Sequence, residues 1–118
     1  MKAPTTYRLL LLLILLPVWL GAQIDDLEFK VYGFEDGLSH RNVFKIRQAP
    51  DGYLWIATIS GLNRFDGSTF LNYSSQSSDL PLLEDYLTDM LIDSLGKLWL
   101  AHPQGLTVFD PQEQQTHH

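Results

Sequence analysis

The sequence predicts an all-β fold, a partial β-propeller of about two four-stranded antiparallel blades following an N-terminal signal helix. Three observations lead there. A strand-turn-strand unit, Pro50 to Gly67, occurs twice at an offset of 44 residues, and periods of about 40 to 50 residues built of strands and turns belong to propeller blades. No helical period interrupts either copy. The strands are apolar on both faces, as a sheet stacked between two neighbours must be.

The elements follow in chain order. Met1 to Arg8 carries Lys2 and Arg8, Leu9 to Leu20 is a continuous apolar run containing Pro17, and Leu20-Gly21-Ala22 is a small-residue exit. That pattern predicts a signal peptide over 1–22, cleaved after Ala22, and an exported, periplasmic protein. The apolar run of 12 residues is short for a bilayer span of about 20. Any contact with a membrane is thus expected only through this leader or through a segment downstream. Residues 23–42 hold a strand candidate, Leu27 to Phe34, and a loop. Phe29 and Tyr32 repeat the Phe-x-x-Tyr spacing of Phe70 and Tyr73, so this strand is expected to be the outer strand of a closing blade.

Residues 43–74 form the first blade, with strands at Val43 to Ala49, Tyr53 to Thr58, Leu62 to Asp66 and Thr69 to Ser74. Asp51-Gly52, Ser60-Gly61 and Asp66-Gly67 mark the turns between them, since Gly accepts a positive φ without steric cost. Residues 75–86, covering most of the Ser- and Pro-containing stretch SSQSSDLPLLED (74–85), are expected as an exposed linker loop. Residues 87–111 form a second, incomplete blade, with strands near Leu87 to Asp93, Lys97 to Ala101 and Gly105 to Asp110. The tail, 112–118, is polar and expected to be too short to finish it.

The two copies align without a gap. Gly52 meets Gly96, Trp55 meets Trp99, Gly61 meets Gly105, Leu62 meets Leu106 and Phe65 meets Phe109. These ten residues are the predicted structural repeat. Leu-Trp-Ile-Ala-Thr, then Gly-Leu, then Arg-Phe-Asp-Gly, with Asp36-Gly37-Leu38-Ser39 upstream, resembles the two-component regulator propeller repeat. That family builds the periplasmic sensor region of hybrid two-component histidine kinases. The resemblance implies a β-propeller that recognises a ligand outside the cell, often an oligosaccharide, while kinase activity resides in a separate region. The chain departs from the pattern at His102-Pro103, which replaces Thr58-Ile59, at Asp110-Pro111, and in holding two copies only.

Charge and composition exclude several classes. Of eight Lys and Arg, two lie in the leader, which leaves six basic against 14 acidic side chains and a net charge of −8. Such a chain is repelled by phosphate backbones, so no nucleic-acid partner is expected. The absence of Cys removes disulfides, thiolate nucleophiles, Cys-ligated zinc and lipid attachment at a cysteine. The four His show neither HxxxH nor HExxH spacing, so no metal site is expected. Ser39-His40 lacks the Gly-x-Ser-x-Gly elbow, and no catalytic residue is assigned. Asp36, Asp51 and Asp66 recur every 15 residues. Each stands alone before its Gly, which suits a turn and not a calcium loop. Trp55 and Trp99, in mid-strand, are expected in the core rather than as sugar-stacking platforms.

A ligand surface is expected at the loops of one rim: His40, Arg41 and Asn42, then Ser60, His102 and Gln104. No cofactor is expected. A blade face of four strands of about five residues measures roughly 300 Å². Left wet, it forfeits about 7 to 8 kcal/mol at ~25 cal/mol per Å². The predicted partners are therefore further propeller blades or identical chains, together with an oligosaccharide. Two other readings fit less well: a streptogramin lyase-like enzyme, with His102 as its candidate residue, and a secreted scaffold or adhesion module.

Overall fold

A computed structural model describes residues 26–118. The signal-peptide expectation lies outside those residues. Eight strands form two antiparallel four-stranded sheets in simple sequence order. The first sheet holds β1 (Val43–Gln48), β2 (Leu54–Thr58), β3 (Gly61–Phe65) and β4 (Phe70–Tyr73); the second holds β5 (Asp89–Ile92), β6 (Leu98–His102), β7 (Gly105–Asp110) and β8 (Gln115–His117). The matched turns repeat in backbone detail. Ala49 N–H donates to Tyr53 O at 2.9 Å and Gly52 N–H to Ala49 O at 2.9 Å. Asp93 N–H to Lys97 O at 2.9 Å and Gly96 N–H to Asp93 O at 3.0 Å are their counterparts.

Period-2 alternation divides each blade into two faces. Trp55, Ala57 and Leu62 share one face of the first blade. Met90, Leu98, Leu100 and Phe109 share one face of the second. These two faces meet and form the main core, all seven residues being buried. Aromatic edges lock the contact: Trp55 and Phe109 have ring centroids 5.6 Å apart, and Tyr73 and Phe109 5.0 Å. Lys45 Nζ on β1 also lies 3.4 Å from the Asp89 carboxylate on β5.

Four expectations are corrected. Leu27 to Phe34 forms no strand; a single 3₁₀ turn, Phe34–Asp36, follows an irregular segment. A strand needs an edge to pair with, and all four edge strands of the two sheets take no ladder partner from this segment. Instead Tyr32 covers the far face of the first blade, 4.9 Å from the Phe65 ring and 6.0 Å from Phe70. The second blade is complete, because the polar tail supplies β8, pairing Phe109 with Thr116 and Asp110 with Gln115. The linker over 75–86 is not a bare loop. Leu80 and Leu82 are in the core, Ser75 N–H and Oγ–H donate to the Asp85 carboxylate at 2.6 and 2.9 Å, and Leu82 N–H donates to Ser74 O at 3.0 Å.

The fourth correction concerns the repeat residues. Trp55 is 1% exposed, but Trp99 is 38% and Leu106 56% exposed. They occupy equivalent strand positions on equivalent faces. Trp55 lies under the second blade, whereas none of the eight strands covers Trp99.

Candidate functional site

Antiparallel order brings the loops before β1 and β5 and the β2–β3 and β6–β7 turns to one rim. Gly61 N–H donates to Asp85 O at 2.8 Å and Leu87 N–H to Thr58 O at 3.1 Å, so the linker enters the second blade beside the β2–β3 turn. Gly61 takes this turn with φ of +107°, and a Cβ there would lie 2.4 Å from Tyr73 O. Only glycine fits.

The predicted ligand residues divide. His40, Arg41 and Asn42 lie on the loop entering β1, where Asn42 N–H donates to His40 Nδ1 at 2.9 Å. Ser60 forms the neighbouring turn, its N–H donating to Thr58 Oγ1 at 3.0 Å. Gln104 lies on the matching turn of the second blade and donates through Nε2 to Glu84 Oε2 at 3.1 Å. Glu84 Oε1 in turn accepts from Asp85 N–H at 3.0 Å and Tyr86 N–H at 3.2 Å. Sequence reasoning missed Glu84; it matches His40 at the 44-residue offset, and that spacing could have pointed to it. His102 leaves the rim. It is buried beneath it, with Nε2 3.0 Å from Thr107 Oγ1, which lies 3.1 Å from His118 Nδ1.

The first blade carries the corresponding polar cluster beneath its rim. Buried Asn63 accepts Ser39 N–H at 3.0 Å and donates to Ser39 Oγ at 2.7 Å. Ser39 Oγ also lies 2.9 Å from Thr58 Oγ1. Asn72 Nδ2 donates to Asn63 Oδ1 and to Gly37 O at 3.0 Å. The Asp36-Gly37-Leu38-Ser39 loop is therefore clamped onto the sheet, with Leu38 packed beside Ile56 and Phe65. The same offset sets Leu82 in place of Leu38, and both are buried.

The Asp-Gly turns close on themselves. Asp36 accepts Gly33 N–H at 2.8 Å and Asp51 accepts Tyr53 N–H at 3.2 Å. Asp66 accepts Thr69 N–H at 2.8 Å and Ser68 N–H at 2.9 Å, with both hydroxyls besides. These bonds hold its carboxyl well below the usual carboxylate range, the Thr69 and Ser68 N–H groups contributing most. Among the described residues no cluster of His, Asp or Glu could hold a metal ion.

Comparison with known proteins agrees with this architecture. The two component regulator propeller family matches residues 37–60, from the clamped loop through β2. Histidine kinase P4 of Formosa agariphila is 42% identical over 64 residues, 54% of this chain. The extracellular domain of BT3049 from B. thetaiotaomicron, assigned as a hybrid two component system, superimposes with a TM-score of 0.67 at 33% identity over 75% of this chain. The chain spans 5% of the length of that kinase and 13% of that solved chain. Residues 37–60 thus match the two component regulator propeller repeat, and the two four-stranded sheets resemble the extracellular domain of a hybrid two-component system.

Proposed function

We propose that this chain is the exported, non-catalytic start of a ligand-recognising propeller, and that further blades of the same pattern complete it. The observation that carries the reading is the second blade's outer face. Leu91 is 59% and Leu106 56% exposed beside Trp99, and together with Ala101 they line an apolar groove. On the first blade the equivalent Trp55, Ala57 and Leu62 are buried by the next sheet. The occupant that fits is a sheet with the apolar pattern of Leu98, Leu100 and Phe109.

The rim residues His40, Arg41, Asn42, Ser60, Glu84 and Gln104 supply hydrogen-bonding side chains on adjacent loops, which suits a hydroxyl-rich oligosaccharide. The kinase and extracellular-domain relatives support a signalling context. The test is a glycan-binding screen on a chain extended to all its repeats. Saturable binding of an oligosaccharide, weakened about tenfold by Gln104→Ala (the loss of a bond worth about 1.4 kcal/mol), is expected. No binding across the glycan set would end the oligosaccharide reading.

A further inference from the structure

At the opposite rim, the β1–β2 and β3–β4 side of the first blade faces the β5–β6 and β7–β8 turns of the second across a cleft of about 270 Å³. Ala49, Pro50, Trp55, Arg64, Leu95 and Pro111 line it. Trp55 is 1% exposed, and its indole Nε1–H has no acceptor among the described residues. A buried donor left unpaired loses the hydrogen bond it had with water in the unfolded chain, so this one invites a ligand acceptor.

The internal repeat shows what is missing. In the second blade Trp99 Nε1–H donates to Asp93 Oδ2 at 3.0 Å. Position 93 corresponds to position 49, as the shared turn hydrogen bonds establish. There the first blade has Ala49, which lines the cleft. The acceptor present in one blade is thus absent from the other, where Ala49 and Trp55 both border the cleft. Arg64, the ladder partner of Trp55, stands in the same lining and is stacked 4.5 Å over the Tyr53 ring, which holds its guanidinium in place.

We infer that this cleft binds the carboxylate of a small organic acid, which accepts from Trp55 Nε1–H and pairs with Arg64. Pro50, Leu95 and Pro111 offer apolar surface to the rest of the molecule. One liquid water occupies about 30 Å³, so the cleft has room for more than solvent. Asp51 also lines the cleft, and its carboxylate distinguishes two sources of the same chemistry: it repels a simple monocarboxylate and favours an α-amino acid. The site lies away from the His40–Gln104 rim and is independent of the oligosaccharide reading.

The test is titration of the ¹⁵N-labelled chain with sodium propionate and, separately, alanine, following the indole N–H resonances assigned through Trp55→Phe and Trp99→Phe. A saturable downfield shift of the Trp55 resonance, with Trp99 unmoved, is expected for one or both acids. Arg64→Gln should weaken binding about tenfold. Ala49→Asp should abolish it by restoring the acceptor within the chain, while the Trp99 resonance reports an intact fold. A Trp55 resonance that both acids leave in place, or that drifts equally with sodium chloride, overturns the proposal. So does binding that survives Ala49→Asp unchanged.

Discussion

Asn63 illustrates how much one polar side chain does under the rim. It is fully buried and its amide serves Ser39 twice and Asn72 once. Asn63→Ala strands the Ser39 amide, removes one of the two acceptors of Asn72 Nδ2 and should lower unfolding free energy by about 2 to 3 kcal/mol. Ser39→Ala should cost about 1 kcal/mol, since its main-chain bond survives; denaturant titration of both variants checks the order. Asp66 gives a different signature. Its folded pKa lies below the unfolded value of about 3.9, so its contribution is present above about pH 4 and lost as pH falls through the folded value. The unfolding midpoints of wild type and Asp66→Asn should therefore differ at neutral pH and converge in acid. A gap independent of pH would show that charge does not hold this turn. The Asp-Gly pairs advertised these turns because the chemistry is local. Asn63 gave no such sign: in a strand run, a residue whose partners lie 24 and 9 positions away reads as an ordinary polar side chain.

Elements were legible where repetition met strand chemistry. The 44-residue offset located β2, β3, β6 and β7 through Trp, Gly-Leu and Phe-Asp, which hold the same strand and turn positions in both copies although Trp55 and Leu62 are buried and Trp99 and Leu106 are not. The first blade's outer strand, expected at Thr69 to Ser74, is found at Phe70–Tyr73, but the second blade's was missed, because Gln115-Thr-His117 is polar where Phe70-Leu-Asn-Tyr73 is aromatic. β8 pairs along one edge and adds no residue to the buried core, so its composition is weakly constrained. The Phe29 and Tyr32 pattern misled for the converse reason, since Tyr32 packs onto a sheet without joining a ladder. If β8 completes the second blade, removing residues 111–118 should destabilise it. The deletion takes away the ladder to β7 and the His118 partner of Thr107. A loss of about 1 to 3 kcal/mol is expected, with slower amide exchange at β2 and β3 than at β7. Unchanged exchange at Val108 and Asp110 would mean that the tail strand does not close the sheet.

For the molecule as a whole, the two blades pose a nearest-neighbour problem. Each has two apolar faces, and stability of such an array is approximately the sum of its units and interfaces. One interface is made, between the Trp55 face and the Leu98–Phe109 face. The next, displaying Leu91, Trp99 and Leu106, is open. Because the repeat is 44 residues and His118 corresponds to Ser74, appending a second copy of 75–118 directly after His118 continues the register. The new Leu98, Leu100 and Phe109 equivalents then meet the open face. Covering two half-exposed leucines and part of a tryptophan should add about 2 to 4 kcal/mol, read as a higher denaturant midpoint with one cooperative transition. Leu91→Asp with Leu106→Asp in the middle blade should remove that gain and split the transition, since the added sheet then lacks a surface to bury. A three-blade chain no more stable than the two-blade chain would mean that the exposed Trp99 face is not a blade-stacking surface, and the reading of this chain as part of a larger propeller would lose its physical basis.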